Sequence, residues 1–147
     1  MKKGGCMTVY LAARYSRRSE LAGYALDLLN GGHTVVARWL HSHNAVDGDE
    51  TELRALWAAE DMEDLSVADV VISFTEQQRS AQNGRGGRHV EFGMALALGK
   101  RVIVVGHREN VFHCLPQVEF YETWAECWSA LLGDEARIPC EVLRRQK

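Results

Sequence analysis

Ala68-Asp69-Val70-Val71-Ile72-Ser73-Phe74 is the stretch that decides the fold. It is short, rich in β-branched and aromatic residues, and apolar at both odd and even positions. A strand with one wet face would alternate; this one predicts burial on both faces, as in a parallel sheet covered by helices. The segments around it fit. Upstream, Leu53, Trp57, Asp61 and Leu65 fall on one helical stripe, in a helix predicted to begin at Asp49 with acidic residues in its first turn. Glu60, Glu63 and Asp64 lie to the sides of that stripe and are expected to be solvated. Downstream, Gly84-Arg85-Gly86-Gly87-Arg88 is a basic glycine loop. It leads into His89-Val90-Glu91-Phe92-Gly93-Met94-Ala95-Leu96-Ala97-Leu98, a helix predicted from about His89 to Gly99.

The same alternation holds towards both ends. Met7–Ala13 is a buried strand. A helix follows with Leu21, Tyr24, Ala25 and Leu28 on one face, capped by Ser16 or Ser19 and closed by Gly31 and Gly32. His33–Trp39 is a second strand, Arg101–Val105 a fourth and Val118–Tyr121 a short fifth. The last helix, Thr123 to Leu132, carries Trp124, Cys127, Trp128 and Leu131 on one face. These elements predict one three-layer, doubly wound α/β domain with a five-stranded parallel sheet in the order 2-1-3-4-5, the flavodoxin-like or Rossmann-like arrangement. The domain is placed at residues 1–133, with a polar tail at 134–147. Ligands of such sheets bind beyond the carboxyl ends of the strands. There the loops Arg14–Arg18, Thr75–Arg88 and Gly106–Gln117 gather most of the unusual polar residues.

Composition narrows the partners. The chain has 147 residues, ordinary for one domain, and a formal net charge of −3, so no bulk polycation draws it to duplex nucleic acid or a membrane surface. No run is long and apolar enough to span a bilayer. The four cysteines, Cys6, Cys114, Cys127 and Cys140, form no close metal-type pair, and no signal peptide is evident; reduced thiols and a cytoplasmic location are expected. His41 and His43 alternate in a polar loop but have no third ligand nearby, so no metal is expected; neither is a cofactor.

Two carboxylates stand out. Glu91 follows an anion-friendly glycine loop and shares its helical face with Met94, Ala95 and Leu98; Asp61 sits between Trp57 and Leu65. A carboxylate on an apolar face needs a hydrogen-bond partner or a task. The plain alternative for Glu91 is a first-turn Glu satisfying backbone donors, and for Asp61 an exposed helix-end residue. A sheltered carboxylate nucleophile, ionised by the helix N-terminus, together with an acid for the leaving group is what retaining cleavage at a sugar carbon requires.

Three stretches carry a resemblance: Val9-Tyr10-Leu11-Ala12 with the polar loop after it, Asp61-Met62-Glu63-Asp64-Leu65-Ser66-Val67-Ala68-Asp69-Val70-Val71, and Gly87 to Val102. Together they resemble the nucleoside 2-deoxyribosyltransferase family, which includes the 2'-deoxynucleoside 5'-phosphate N-hydrolases. The resemblance implies that Glu91 is the nucleophile, forming a glycosyl-enzyme. It implies that Asp61 is the acid serving the leaving base and that Tyr10 positions the nucleophile. It further implies a substrate lined by Ala12, Arg14, Ser16, Arg17, Arg85, Gly86, Gly87 and Arg88. The family forms dimers or larger homo-oligomers in which a neighbour completes the site, and Asn110 and His113 occupy the region that gives that contact. The chain departs from the transferases in having no acid between Gly84 and His89. Its arginines suit a phosphate there, and the Arg14–Arg18 loop resembles the phosphate loop of the nucleotide hydrolases; Arg17 or Arg88 is the expected contact. Transfer to a second base, hydrolysis by water, and a non-catalytic nucleotide-sensing module on the same fold are the readings that follow.

Overall fold

In the computed structural model the described residues are 5–41, 50–77 and 86–134. Five strands, β1 (Thr8–Ala12), β2 (Thr34–Val35), β3 (Val70–Phe74), β4 (Arg101–Val105) and β5 (Val118–Tyr121), form one sheet in the order β2-β1-β3-β4-β5. Every pairing is parallel. Four helices connect and flank them: α1 (Arg18–Asn30), α2 (Thr51–Val67), α3 (Gly87–Ala97) and α4 (Trp124–Asp134). The predicted architecture and strand order are therefore those observed. All five residues of β3 are buried, as a central strand covered on both faces requires. Among the described residues no helix is long and apolar enough to cross a membrane.

The register sorts side chains between the two faces. Tyr10 pairs with Val71, and Leu11 with Ile72; Phe74 pairs with Val105. Since strand residues alternate, Tyr10 and Val71 face one way, and Leu11, Ile72 and Phe74 the other. On the Phe74 side, Tyr24 of α1 stacks on Phe74 at 5.2 Å and on Trp124 of α4 at 4.9 Å, and the Trp124 indole donates to Asp27. On the Tyr10 side lie α2 and α3, packed against each other.

Several boundaries differ from expectation, each for a local reason. β2 stops after Thr34–Val35 because the chain turns into a short 3-10 segment, Arg38–Leu40. Asp64 accepts from both the Arg38 backbone N–H (2.8 Å) and its Nε (2.9 Å), and the Trp39 indole donates to Leu11 O. Asp64 is thus buried rather than solvated: it faces this turn. Neither Ser16 nor Ser19 caps α1; a 3-10 turn at Tyr15–Arg17 runs directly into the helix, whose cap residue is Arg17. α2 starts at Thr51, and Asp49 lies outside the described residues. α3 starts two residues before His89, on Gly86, whose φ of +89° only glycine adopts readily. Cys6 is disulfide-bonded, against the expectation of reduced thiols throughout, while Cys114 and Cys127 are free. α4 runs to Asp134; the remainder of the predicted tail lies outside the described residues.

Candidate active site

Tyr10 and Glu91 meet under the carboxyl end of β1. β1 buries Tyr10 completely, and its hydroxyl donates to Glu91 Oε2. Glu91 lies in the second turn of α3, not the first, so the helix N-terminus does little to hold its charge. Burial pushes its pKa up to about 8; the Tyr10 hydrogen bond opposes that rise and the charge of Asp61 adds to it. This corrects the expectation of an ionised carboxylate at rest: near neutrality Glu91 mostly holds its proton. Burial and the two carboxylates also raise the Tyr10 phenol, which stays a donor. Asp61, half-buried on α2, is close enough for its charge to act on both partners. A phenol and two carboxyls thus share one protected volume, and like charges there resist ionising together.

A second, charge-paired cluster joins the start of α3 to the loops after β3 and β4. Arg88, one turn before Glu91, is buried, and both its terminal nitrogens donate to Glu109, Nη2 at 3.0 Å from Oε2. Glu109 Oε1 also accepts from the Glu76 backbone N–H at 2.9 Å. Burial works against the Glu109 charge, but the Arg88 and Glu76 donors hold its pKa below the usual carboxylate range. The Glu109 backbone N–H donates to His113 Nδ1, and the His113 ring meets Phe92 edge-on at 4.7 Å. Burial lowers the pKa of both His89 and His113, so both are neutral at pH 7.

The other expected residues divide. Arg17 grips Glu20 through two nitrogens (2.9 and 2.7 Å) and Glu76 through a third contact (3.0 Å); Arg14 lies 3.6 Å from Glu76. Arg18 covers the Tyr15 ring, 4.9 Å above it. Ser16 is exposed and Ala12 wholly buried. Gly86 and Gly87 open α3; Arg85 lies outside the described residues. Asn110 caps the Val111–Cys114 turn by accepting from Phe112 N–H. His113 is enclosed, 1% exposed, and spends Nδ1 on Glu109, which makes it a support of that loop rather than a surface donor. Glu109, Glu76 and Thr75 were not singled out from sequence. The signal was indirect: loops dense in arginine must find carboxylates if the arginines are to be buried. Gly106 ties these loops together. Its φ is +123°, and a Cβ there would lie 2.8 Å from Thr75 Oγ1, so the rims of β3 and β4 touch without room for a side chain.

A comparison with protein-family models finds no match, and a comparison with curated proteins finds none. Solved structures do match. A 2-deoxyribosyltransferase from Bacillus psychrosaccharolyticus superposes with a TM-score of 0.65 at 20% identity, over 84% of this chain and 95% of that one. The CMP N-glycosidase BcmB of Clostridium botulinum gives 0.54 at 20% identity, over 84% and 97%. The chain shares their fold.

Proposed function

We propose that this chain is an enzyme that cleaves the N-glycosidic bond of a 2'-deoxynucleoside or its 5'-monophosphate and passes the sugar to another base. The observation that carries this reading is the Tyr10–Glu91–Asp61 group on one face of the sheet. A Glu91 oxygen attacks the anomeric carbon, the carbon–nitrogen bond to the base breaks, and Asp61 supplies the proton that the departing base takes up. Glu91 must first give up its own proton; the two carboxyls carry it between them, and Tyr10 holds the attacking oxygen in place. A second base then takes the sugar and frees Glu91; with water as acceptor the same steps amount to hydrolysis. The fold shared with a deoxyribosyltransferase and a CMP N-glycosidase supports the bond class. A nucleotide sensor has no need of two sheltered carboxylates beside a buried phenol.

The chain is further proposed to be cytoplasmic and to act as a homodimer or larger homo-oligomer. Leu56 and Met62 of α2, Val90 of α3, and Val111 and Phe112 beyond β4 are all more than half exposed, which a partner copy would cover. The deciding experiment incubates the protein with a deoxynucleoside and a second free base and follows products by chromatography. It is run in parallel on the 5'-monophosphate: a new deoxynucleoside or deoxynucleotide marks transfer, release of the substrate's own base without a new one marks hydrolysis, and no product from either substrate defeats the proposal. Asp61→Asn should slow the reaction by roughly 10²–10⁴-fold, less for bases that leave without protonation. An equal loss for good and poor leaving groups would make Asp61 structural.

A further inference from the structure

The arginines at the start of α3 and after β1 invite an anion, and in this structure the anion is internal. Glu109 receives a two-pronged guanidinium from Arg88 and a backbone N–H from Glu76. A guanidinium fork plus a main-chain N–H is the donor set that a phosphate monoester uses. Arg88 is three residues before Glu91, so the residue that carries the fork sits one helical turn from the proposed nucleophile. Glu76 and Glu20 take up Arg17 in the same way.

We propose that Glu109 fills the place a substrate 5'-phosphate would take, so that the site accepts a neutral 5'-hydroxyl and rejects the monophosphate. The inference rests on the N-glycosidic reading above and names its substrate class. A phosphate placed here would meet two carboxylates, Glu109 and Glu76, whose arginines are already engaged. Rejection then comes from like charge and from the loss of ion pairs that cannot be replaced without moving the loop after β4.

The test compares kcat/KM for one deoxynucleoside with that for its 5'-monophosphate, in the wild type, Glu109→Ala and Glu76→Gln. The wild type should favour the nucleoside at least tenfold, and Glu109→Ala should shift that ratio at least tenfold towards the nucleotide; Glu76→Gln should shift it in the same direction by less. Thermal unfolding in inorganic phosphate gives a second readout that needs no turnover. Phosphate should raise the Tm of Glu109→Ala and leave the wild type unmoved. If removing the Arg88 partner prevents Glu109→Ala from folding, Glu109→Gln and Glu76→Gln carry the comparison. A wild type that prefers the nucleotide, ratios unchanged in every variant that folds, or phosphate stabilising the wild type as much as the variant would each overturn the proposal. If the wild type cleaves neither substrate, the N-glycosidic reading fails, and the phosphate-dependent Tm alone decides whether Glu109 fills an anion place.

Discussion

The two faces of the sheet share the same strands and are filled in opposite ways. Behind Phe74, α1 and α4 bring aromatic rings: Tyr24 stacks on Phe74 and Trp124, and Trp124 on Trp128 at 5.9 Å. The polar atoms there sit at the edges and are matched, as with Trp124 to Asp27 and Tyr24 to Glu20. On the other face, α2 and α3 bring two carboxyl groups against the Tyr10 phenol of β1, in a sheltered volume. The first face gains from burying apolar area, while the second gives up stability by burying groups that would rather be hydrated. The difference teaches where chemistry is possible: the second face gathers a phenol and two carboxyls in one protected volume, where a proton can pass between them.

The sharpest way to break this contrast is Glu91→Ala. It should cut turnover by several orders of magnitude while the protein stays folded; a variant with more than a tenth of wild-type rate would return Glu91 to a packing role. Next comes Phe74→Ala on the opposite face. Removing a fully buried ring should cost roughly 3–5 kcal/mol in denaturant unfolding. The pH dependence of whatever activity remains should match the wild type, and a moved profile would mean that the faces are not separable.

Glu91→Gln tests the cost directly. The native state holds the Glu91 proton to about pH 8, whereas the unfolded chain releases it near 4.5. Proton binding therefore favours the native state fully below 4.5, and that contribution is lost as pH rises through 8. Glutamine carries no such dependence, so the variant should gain on the wild type as pH rises from 5 to 9, by up to about 4 kcal/mol. Parallel stability curves for the two proteins would show that Glu91 titrates normally. The same proton makes wild-type turnover rise with pH towards 8. The smallest expected effect is Tyr24→Phe, which keeps the ring stack and removes only the 2.7 Å hydrogen bond to Glu20; roughly 0.5–1.5 kcal/mol is expected from equilibrium unfolding. A loss like that of Phe74→Ala would mean that polar contacts, not rings, hold this face.

The central strand, the strand order and the helix after the glycine loop were legible because periodicity and length carry them. The meeting of Tyr10 with Glu91 was legible only through family resemblance, since no spacing rule joins residues 81 positions apart. The short β2 escaped because its end is set by Asp64, a tertiary contact that overrides strand propensity. Asp64 itself looked solvated because the helical stripe counts only apolar neighbours. The state of Glu91 was misjudged for a similar reason: sequence shows a nearby helix start, but burial, which dominates, depends on what packs above it. The fate of the arginines turned on Glu109 and Glu76, in loops whose paths periodicity does not describe.

The parallel arrangement has a further consequence, for the order in which the molecule comes together. β1 is made first yet sits between β2 and β3, and its hydrogen bonds to β3 close a separation of 61 residues. The entropy of such closures must be met before any contact rewards it, so this topology folds slowly relative to local ones. The phenol of β1 and the carboxyl of α3 come together only once β1 has paired with β3 and α3 has docked across both. During synthesis, a chain that has emerged only as far as β3 holds Tyr10 and Asp61 but not Glu91.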